Sequence, residues 1–214
     1  MDAYREQLSQ FIFRTGILMK PVFDSARREP KRVVFAEGEE ETMLRAVQAI
    51  VDEGFARPIL IGRPAVIEQR IARMGLWIRP GEHFDITNID SDPRFNDYWQ
   101  HYHRIMERRG VNPATAKAVV RSRSTVIGAL MVERGEADAM IGGTIGRFQR
   151  KLQYCQDIVG LEGDIEAPAA MSAVVTAAVR RRSVREVPSW VQSALVDIVV
   201  SLAREEKPTP VGQT

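Results

Sequence analysis

Lys31-Arg32-Val33-Val34-Phe35-Ala36-Glu37-Gly38-Glu39 is the stretch whose reading decides the fold. Val33 to Ala36 form a short apolar run with charge on either side, the mark of a buried strand. A helical pattern follows at once, with Met43, Leu44, Val47, Ile50 and Val51 on one face and Gly54 as its stop. Strand, turn and helix thus follow in some two dozen residues, as in a βα unit.

The same alternation continues outward. Pro58-Ile59-Leu60-Ile61 predicts a second strand, closed by Gly62. Pro64 opens a helix carrying Val66, Ile67, Ile71 and Met74 that stops at Gly75. Phe84-Asp85-Ile86-Thr87 is a weaker third strand. Asp92-Pro93 predicts the start of a long helix whose apolar face is Phe95, Tyr98, Trp99, Tyr102, Ile105 and Met106, ended by Gly110. Asn112-Pro113 starts another helix, and a third runs from about 124 to 134. Ala137-Asp138-Ala139-Met140-Ile141 is a further strand, broken by Gly142-Gly143-Thr144, and a helix over about 148 to 159 ends at Gly160. Strands separated by helices predict a doubly wound, mostly parallel sheet in three layers, with ligands beyond the carboxyl ends of the strands. Upstream, residues 1–26 read as an amphipathic segment, with Leu8, Phe11, Ile12, Leu18, Met19, Val22 and Phe23 on its apolar side.

Composition narrows the function classes. The 214 residues are ordinary for a globular chain, and 30 basic against 28 acidic residues give a net charge of +2, too near balance to mark a nucleic-acid or membrane-surface protein. Cys155 is the single cysteine, so no internal disulfide forms. No apolar run reaches membrane-span length, and Arg5, Glu6, Gln7 and Arg14 interrupt the first apolar residues where a signal peptide would need continuity. These features set the expectation of a cytoplasmic protein.

The loop Gly142-Gly143-Thr144-Ile145-Gly146 is the foremost candidate site. A glycine loop between strand and helix leaves backbone N–H groups free for a phosphate or carboxylate, Thr144 adds a hydroxyl, and Arg147, Arg150 and Lys151 add positive charge. The loop matches neither the G-x-G-x-x-G fingerprint nor the P-loop, and a plain turn needing glycine angles is its competing reading. Glu37, Glu39, Glu40 and Glu41 read mainly as acids favouring a helix N-terminus, and they argue against phosphate at that turn. A role in holding a hydroxyl or positioning a base is the lesser reading. His101 and His103 are two apart, so a helix does not present both on one face, and no metal site is expected. Cys155 reads as core. Arg104, Arg108, Arg109, Arg121 and Arg123 read as solvated helix faces, of which one or two could reach a phosphate in the cleft.

Taken together, several motifs resemble a known family. Lys31 to Glu39 looks like the opening strand and turn of the phosphotransacetylases (the phosphate acetyl/butyryltransferase family), and Gly135-Glu136-Ala137-Asp138-Ala139-Met140-Ile141-Gly142-Gly143 looks like their later strand and ligand loop. Tyr98-Trp99-Gln100 with Tyr102-His103, then Arg108-Arg109-Gly110-Val111, resembles the phosphotransacetylase-like C-terminal half of large NADP-dependent malic enzymes. Ala3-Tyr4-Arg5 to Met19-Lys20-Pro21-Val22-Phe23 is similar to the connector preceding that half. The resemblance covers roughly residues 3 to 165. It implies an isopropylmalate-dehydrogenase-like α/β fold in two domains with a ligand cleft between them. On that basis residues 1–26 form a connector helix, 27–144 a first α/β domain, 145–178 the start of a second, and 179–214 a tail unlike the family.

The resemblance further implies a parent that converts malate to pyruvate with NADP and a divalent metal, both held by a catalytic half absent here. Active family members carry Ser-Thr just after the ligand loop and Leu-Arg-Pro a few residues later; here Gly146-Arg147 and Leu152-Gln153-Tyr154 stand in those places. This loop fits the malic-enzyme version, which responds to acetyl-CoA rather than transferring acetyl. The tail, with Arg180-Arg181-Arg182-Ser183-Val184-Arg185 and then Trp190, Leu195, Val196, Ile198, Val199 and Leu202, reads either as a replacement helix or as a truncated or out-of-frame end. The shift in composition at Val179 favours the second, so the fold is expected to be incomplete at its C-terminus. Three functions follow as expectations. The first is a regulatory module for acetyl-CoA or another phosphate-bearing small molecule, working with a malic-enzyme catalytic half. The second is an acetyltransferase using Arg147 or Arg150, and the third an oligomerisation module of a homo-oligomer.

Overall fold

The computed structural model describes residues 20–161 and 199–200 of the chain. The upstream part of the connector, the start of the second domain beyond residue 161 and the basic run at 180–185 lie outside the described residues. Residues 20–28 are helical (α1) and precede β1, Lys31–Phe35. Then come α2 (Glu41–Glu53), β2 (Ala56–Ile61), α3 (Pro64–Met74), β3 (Asp85–Thr87), α4 (Phe95–Met106) with a 3-10 turn over Glu107–Arg109, α5 (Pro113–Ser122), α6 (Ser124–Glu133), β4 (Ala139–Ile141), α7 (Phe148–Val159) and β5 (Val199–Val200).

Strand order is β3-β2-β1-β4-β5, with parallel pairing of β1 to β2, β1 to β4 and β2 to β3. The three-layer, doubly wound, mostly parallel α/β fold read from the sequence is therefore present. Alternate strand residues face opposite layers. Val34, Ala36, Ile59, Ile61 and Met140 pack under α4 to α7, while Phe35 and Leu60 pack under α2 and α3, against Leu44, Val47 and Ile67. Each such large side chain taken fully from water contributes about 1.5–3 kcal/mol.

Helix α6 is the hub of the larger layer. Thr125 to Met131 are buried without a break, so the helix carries no polar face there. A Cβ on Gly128 would lie 2.6 Å from the Met140 sulfur, the distance at which helix and sheet touch. Gly38 is hemmed in by less yielding atoms, since a Cβ there would meet the Leu60 Cβ at 2.8 Å and the Ile61 carbonyl oxygen at 2.9 Å. Helix α1 docks on the other layer: Phe23 stacks on Phe55 with ring centroids 4.7 Å apart, and Arg27 pairs with Glu53.

Three local readings need correction. The long helix begins at Phe95, because the Asp92 carboxylate accepts the Arg94 backbone N–H at 2.8 Å and forms a turn rather than a cap. Ala137 and Asp138 precede β4; the Asp138 carboxylate accepts the Arg32 N–H at 2.7 Å and pairs with its guanidinium, stapling the starts of β1 and β4. Val199, in the tail read either as a replacement helix or as a truncated or out-of-frame end, is instead part of a short strand: Val199 and Val200 pair antiparallel with Ile141 and Met140 along the edge of β4.

Two outcomes follow. Gly38→Ala should lower stability by about 1–3 kcal/mol, because it presses on backbone, whereas Gly128→Ala should cost less, because the flexible Met140 thioether can yield; thermal melts of both variants check the order. Arg32 beside Asp138 holds that carboxyl below its ordinary value, and Arg63 does the same to Glu39. A depressed carboxyl adds stability above its unfolded value of about 4 and loses it as pH falls through the folded value. The melting temperature should therefore drop on acidification below about pH 4, and Asp138→Asn should melt lower than wild type at pH 7 but converge with it in acid.

Candidate functional site

The chain builds β1, β2 and β3 outward in one direction and then places β4 on the other edge of β1. The carboxyl ends of β1 and β4 thus flank the point where the strand order reverses, where open α/β sheets hold ligands. Glu37 leaves β1 there and Gly142-Gly143-Thr144 leaves β4. Ala36 donates its N–H to the Ile141 carbonyl at 2.9 Å, so the two loops start side by side.

The Glu37 carboxylate fills the space between them. Its Oε2 accepts the Gly143 N–H at 2.9 Å and the Thr144 hydroxyl at 3.4 Å, and its Oε1 pairs with the Lys151 ammonium. The side chain is 8% exposed. Gly143 has φ +120°, a value that any Cβ would strain. A Cβ on Gly142 would lie 3.1 Å from that of Ala36 and 3.5 Å from Glu37 Oε2. The glycine pair is therefore what lets the loop close on the carboxylate.

A cavity of about 640 Å³ opens beside this contact. Glu37 and Lys151 form one wall. Arg150 and Tyr154 of α7, with Arg147 just ahead of its first turn, form another; positions 150, 151 and 154 fall on one face of the helix. Gln153 falls off that face and donates to Asp157 at 2.8 Å instead. Arg123, Ser124 and Thr125 line the third side at the N-terminus of α6, whose first N–H groups have no acceptor within the helix. Among the described residues Arg123, Arg147 and Arg150 have no carboxylate partner, although Arg27, Arg32, Arg63, Arg94 and Arg109 each have one. Three exposed arginines at the rim of one cavity make it attractive to an anion. Burial lowers the Lys151 ammonium from its ordinary value.

Of the five candidate site residues, Arg147 and Arg150 line the cavity. Gly142, Gly143 and Thr144 do not; the Gly143 N–H and the Thr144 hydroxyl turn to Glu37. Arg123, which the sequence sets on a solvated helix face with a place in the cleft as the lesser alternative, lines the cavity. Its position one residue before an apolar helix with free N–H groups was the signal. The acids after β1 also differ from expectation. Only Glu41 lies in the first turn of α2, whereas Glu39 pairs with Arg63, Glu40 with Arg70, and Glu37 serves the loop. Glu37 spends its carboxylate on the chain's own Gly143 N–H, Thr144 hydroxyl and Lys151 ammonium.

Tyr98 and Tyr102 prove to be core residues, and the Tyr98 phenol donates to Glu136 at 2.6 Å. His101 pairs with Glu133. Among the described residues no group of three or more His, Cys, Asp or Glu is arranged to hold a metal ion, and no helix is long and apolar enough to cross a membrane.

Fold and site together define an α/β chain with an arginine-ringed cavity at the reversal point of its sheet. The family described as phosphate acetyl/butaryl transferase matches residues 17–186, and the chain belongs to that family. It is 47% identical over 174 residues to an NADP-dependent malic enzyme of Salmonella typhimurium and 48% identical over 174 residues to one of Escherichia coli, alignments that cover 81% of this chain and 23% of each relative. The chain therefore spans under a quarter of the length of these relatives. A phosphate acetyltransferase of Nitratidesulfovibrio vulgaris is 31% identical over 58% of the chain and 17% of its own length. Among solved structures, a phosphotransacetylase from Streptococcus pyogenes superposes with a TM-score of 0.57 at 21% identity, covering 65% of this chain and 42% of that one. One from Staphylococcus aureus gives 0.61 at 14% identity, covering 70% and 45%. These two share the fold.

Cys155 packs in the core on α7, and burial pushes its thiol up to about 11. The thiolate is the reactive form. At pH 8 the native chain should react with a disulfide reagent far more slowly than free cysteine, and at the free rate once denatured, as absorbance of the released thiol will show.

Proposed function

We propose that this chain is a regulatory, acetyl-CoA-responsive module of a malic-enzyme-like protein and transfers no acetyl group itself. The observation that carries the reading is the convergence of Arg123, Arg147 and Arg150, without carboxylate partners among the described residues, on a cavity of about 640 Å³. That volume suits a small-molecule ligand, and its charge suits one bearing phosphates. Ser124 and Thr125 add hydroxyls at a helix N-terminus, and Ile145 supplies an apolar wall for an acyl or thioester portion. Among the described residues the one carboxylate lining the cavity, Glu37, is committed to Lys151 and the Gly143 N–H, which leaves it a poor base. The remaining three quarters of the related malic enzymes would hold NADP, the divalent metal and the oxidation of malate, and acetyl-CoA bound here would act on that half through the connector.

A second reading, acetyl transfer between coenzyme A and phosphate, is favoured by the presence of both Arg147 and Arg150 in the cavity. One experiment separates the two. Calorimetric titration with acetyl-CoA should show saturable binding to wild type and a loss of at least about 100-fold in affinity in Arg147→Ala/Arg150→Ala, since each of the two charge-assisted contacts is worth about 1.5–3 kcal/mol. Acetyl phosphate formation should stay at background in both. Formation that vanishes in the double variant selects the second reading, and a cooperatively melting chain that binds no acetyl-CoA ends both.

A further inference from the structure

We propose that Glu37 is an internal anion that holds shut a phosphate seat, and that the seat is made of the Gly143 N–H, the Thr144 hydroxyl and the Lys151 ammonium. The inference rests on the reading of the cavity as an anion site and adds how that site is regulated. Three donors from two segments converge on one carboxylate and serve both of its oxygens. A backbone N–H, a hydroxyl and an ammonium around one point are the donor set by which glycine loops hold a phosphate group. Gly143 takes φ +120°, a backbone angle open to glycine and strained for any residue with a Cβ, and this turns its N–H onto the carboxylate.

The carboxylate also sits where it opposes ligand binding. It lines the same cavity as Arg123, Arg147 and Arg150, cancels the charge of Lys151 and presents negative charge to any entering phosphate. Its backbone need not move for it to leave. Glu37 accepts the Glu40 N–H at 3.0 Å and Gly38 donates to Ile61 at 3.2 Å, so the turn is held by its main chain while the side chain can rotate out. A phosphate group bridging the arginines would then take the loop donors in its place. The cavity thus has a closed form, with Glu37 seated, and an open form, with the ligand seated.

Titration of the full chain with inorganic phosphate by calorimetry tests this. Glu37→Gln removes the charge at nearly constant shape, and phosphate should bind it at least about 10-fold more tightly than wild type. Adding Lys151→Met to that variant should abolish the gain. A phosphate affinity in Glu37→Gln equal to or weaker than that of wild type overturns the proposal and makes Glu37 a fixed clamp. If Glu37→Gln does not melt cooperatively, Glu37→Asp replaces it. That variant keeps the charge but draws the carboxylate back by one methylene, so a rise in phosphate affinity supports the seat and an unchanged or lower one overturns it. Failure of the cavity reading looks different, because acetyl-CoA then fails to bind wild type whatever phosphate does at the loop.

Discussion

A parallel strand buried on both faces must have both of its edges paired, because its backbone groups meet no water. β1 is such a strand, with Val34 and Phe35 buried on opposite sides. The requirement is met by β2 on one edge and by β4, more than a hundred residues later, on the other. Much of the molecule follows from that placement. The direction of strand addition must reverse at β1, so the reversal point opens between the ends of β1 and β4. The Glu37 carboxylate and the Gly143 N–H meet because their strands are neighbours. Asp138 and Arg32 secure the same pair of strands at the opposite end, so β4 is tied to β1 by a charged contact at each end and backbone pairing between.

Helix α6 translates this sheet geometry into a cavity. Its unbroken apolar run forces it into the layer between sheet and α7, where Gly128 lets it lie directly on Met140. Its N-terminus is thereby fixed above the reversal point. Arg123 just ahead of it and Arg147 and Arg150 on α7 are then brought to one rim although they belong to different helices. Helix α7 is held in rotation by Cys155 and Ile158 in the core and by the Asp157 pair with Arg109. With that face buried, positions 147, 150, 151 and 154 face the cavity. The position at which the family resemblance anticipated an arginine is Gln153, which lies off this face; Arg147 and Arg150 supply the charge nearer the start of the helix.

Much of this was legible from the residues. The 3.6-residue periodicity of α2, the Pro64 and Asn112-Pro113 starts and the Gly54, Gly75 and Gly160 stops gave element ends within a residue or two, because caps and stops act locally. The Gly142 to Gly146 loop was legible as a glycine turn between strand and helix for the same reason. What could not be read was the partner that takes its donors. Glu37 lies 106 residues away from Gly143, and only the strand order makes them neighbours. The acid cluster after β1 was misread through proximity in sequence: four nearby carboxylates suggest one shared role at a helix end, yet β2, α3 and α7 draw Glu37, Glu39 and Glu40 to separate cations. Arg123 was passed over because a helix-end arginine looks solvated unless the helix is known to point into a cavity.

The same constraint bears on why a carboxylate should sit against the glycine loop at all. Free loop donors and Lys151 beside three unpaired arginines would make four cations around one unfilled space, and their mutual repulsion would weigh against closing β4 onto β1. A resident carboxylate removes that repulsion while the cavity is empty, since Glu37 compensates Lys151 and satisfies the buried N–H of Gly143. The fold therefore has no need of ligand to close, and the arginines are left exposed at the rim, where water screens them. Affinity for an anion and stability without one pull in opposite directions at this point in the sheet, and a carboxylate carried on the central strand reconciles them.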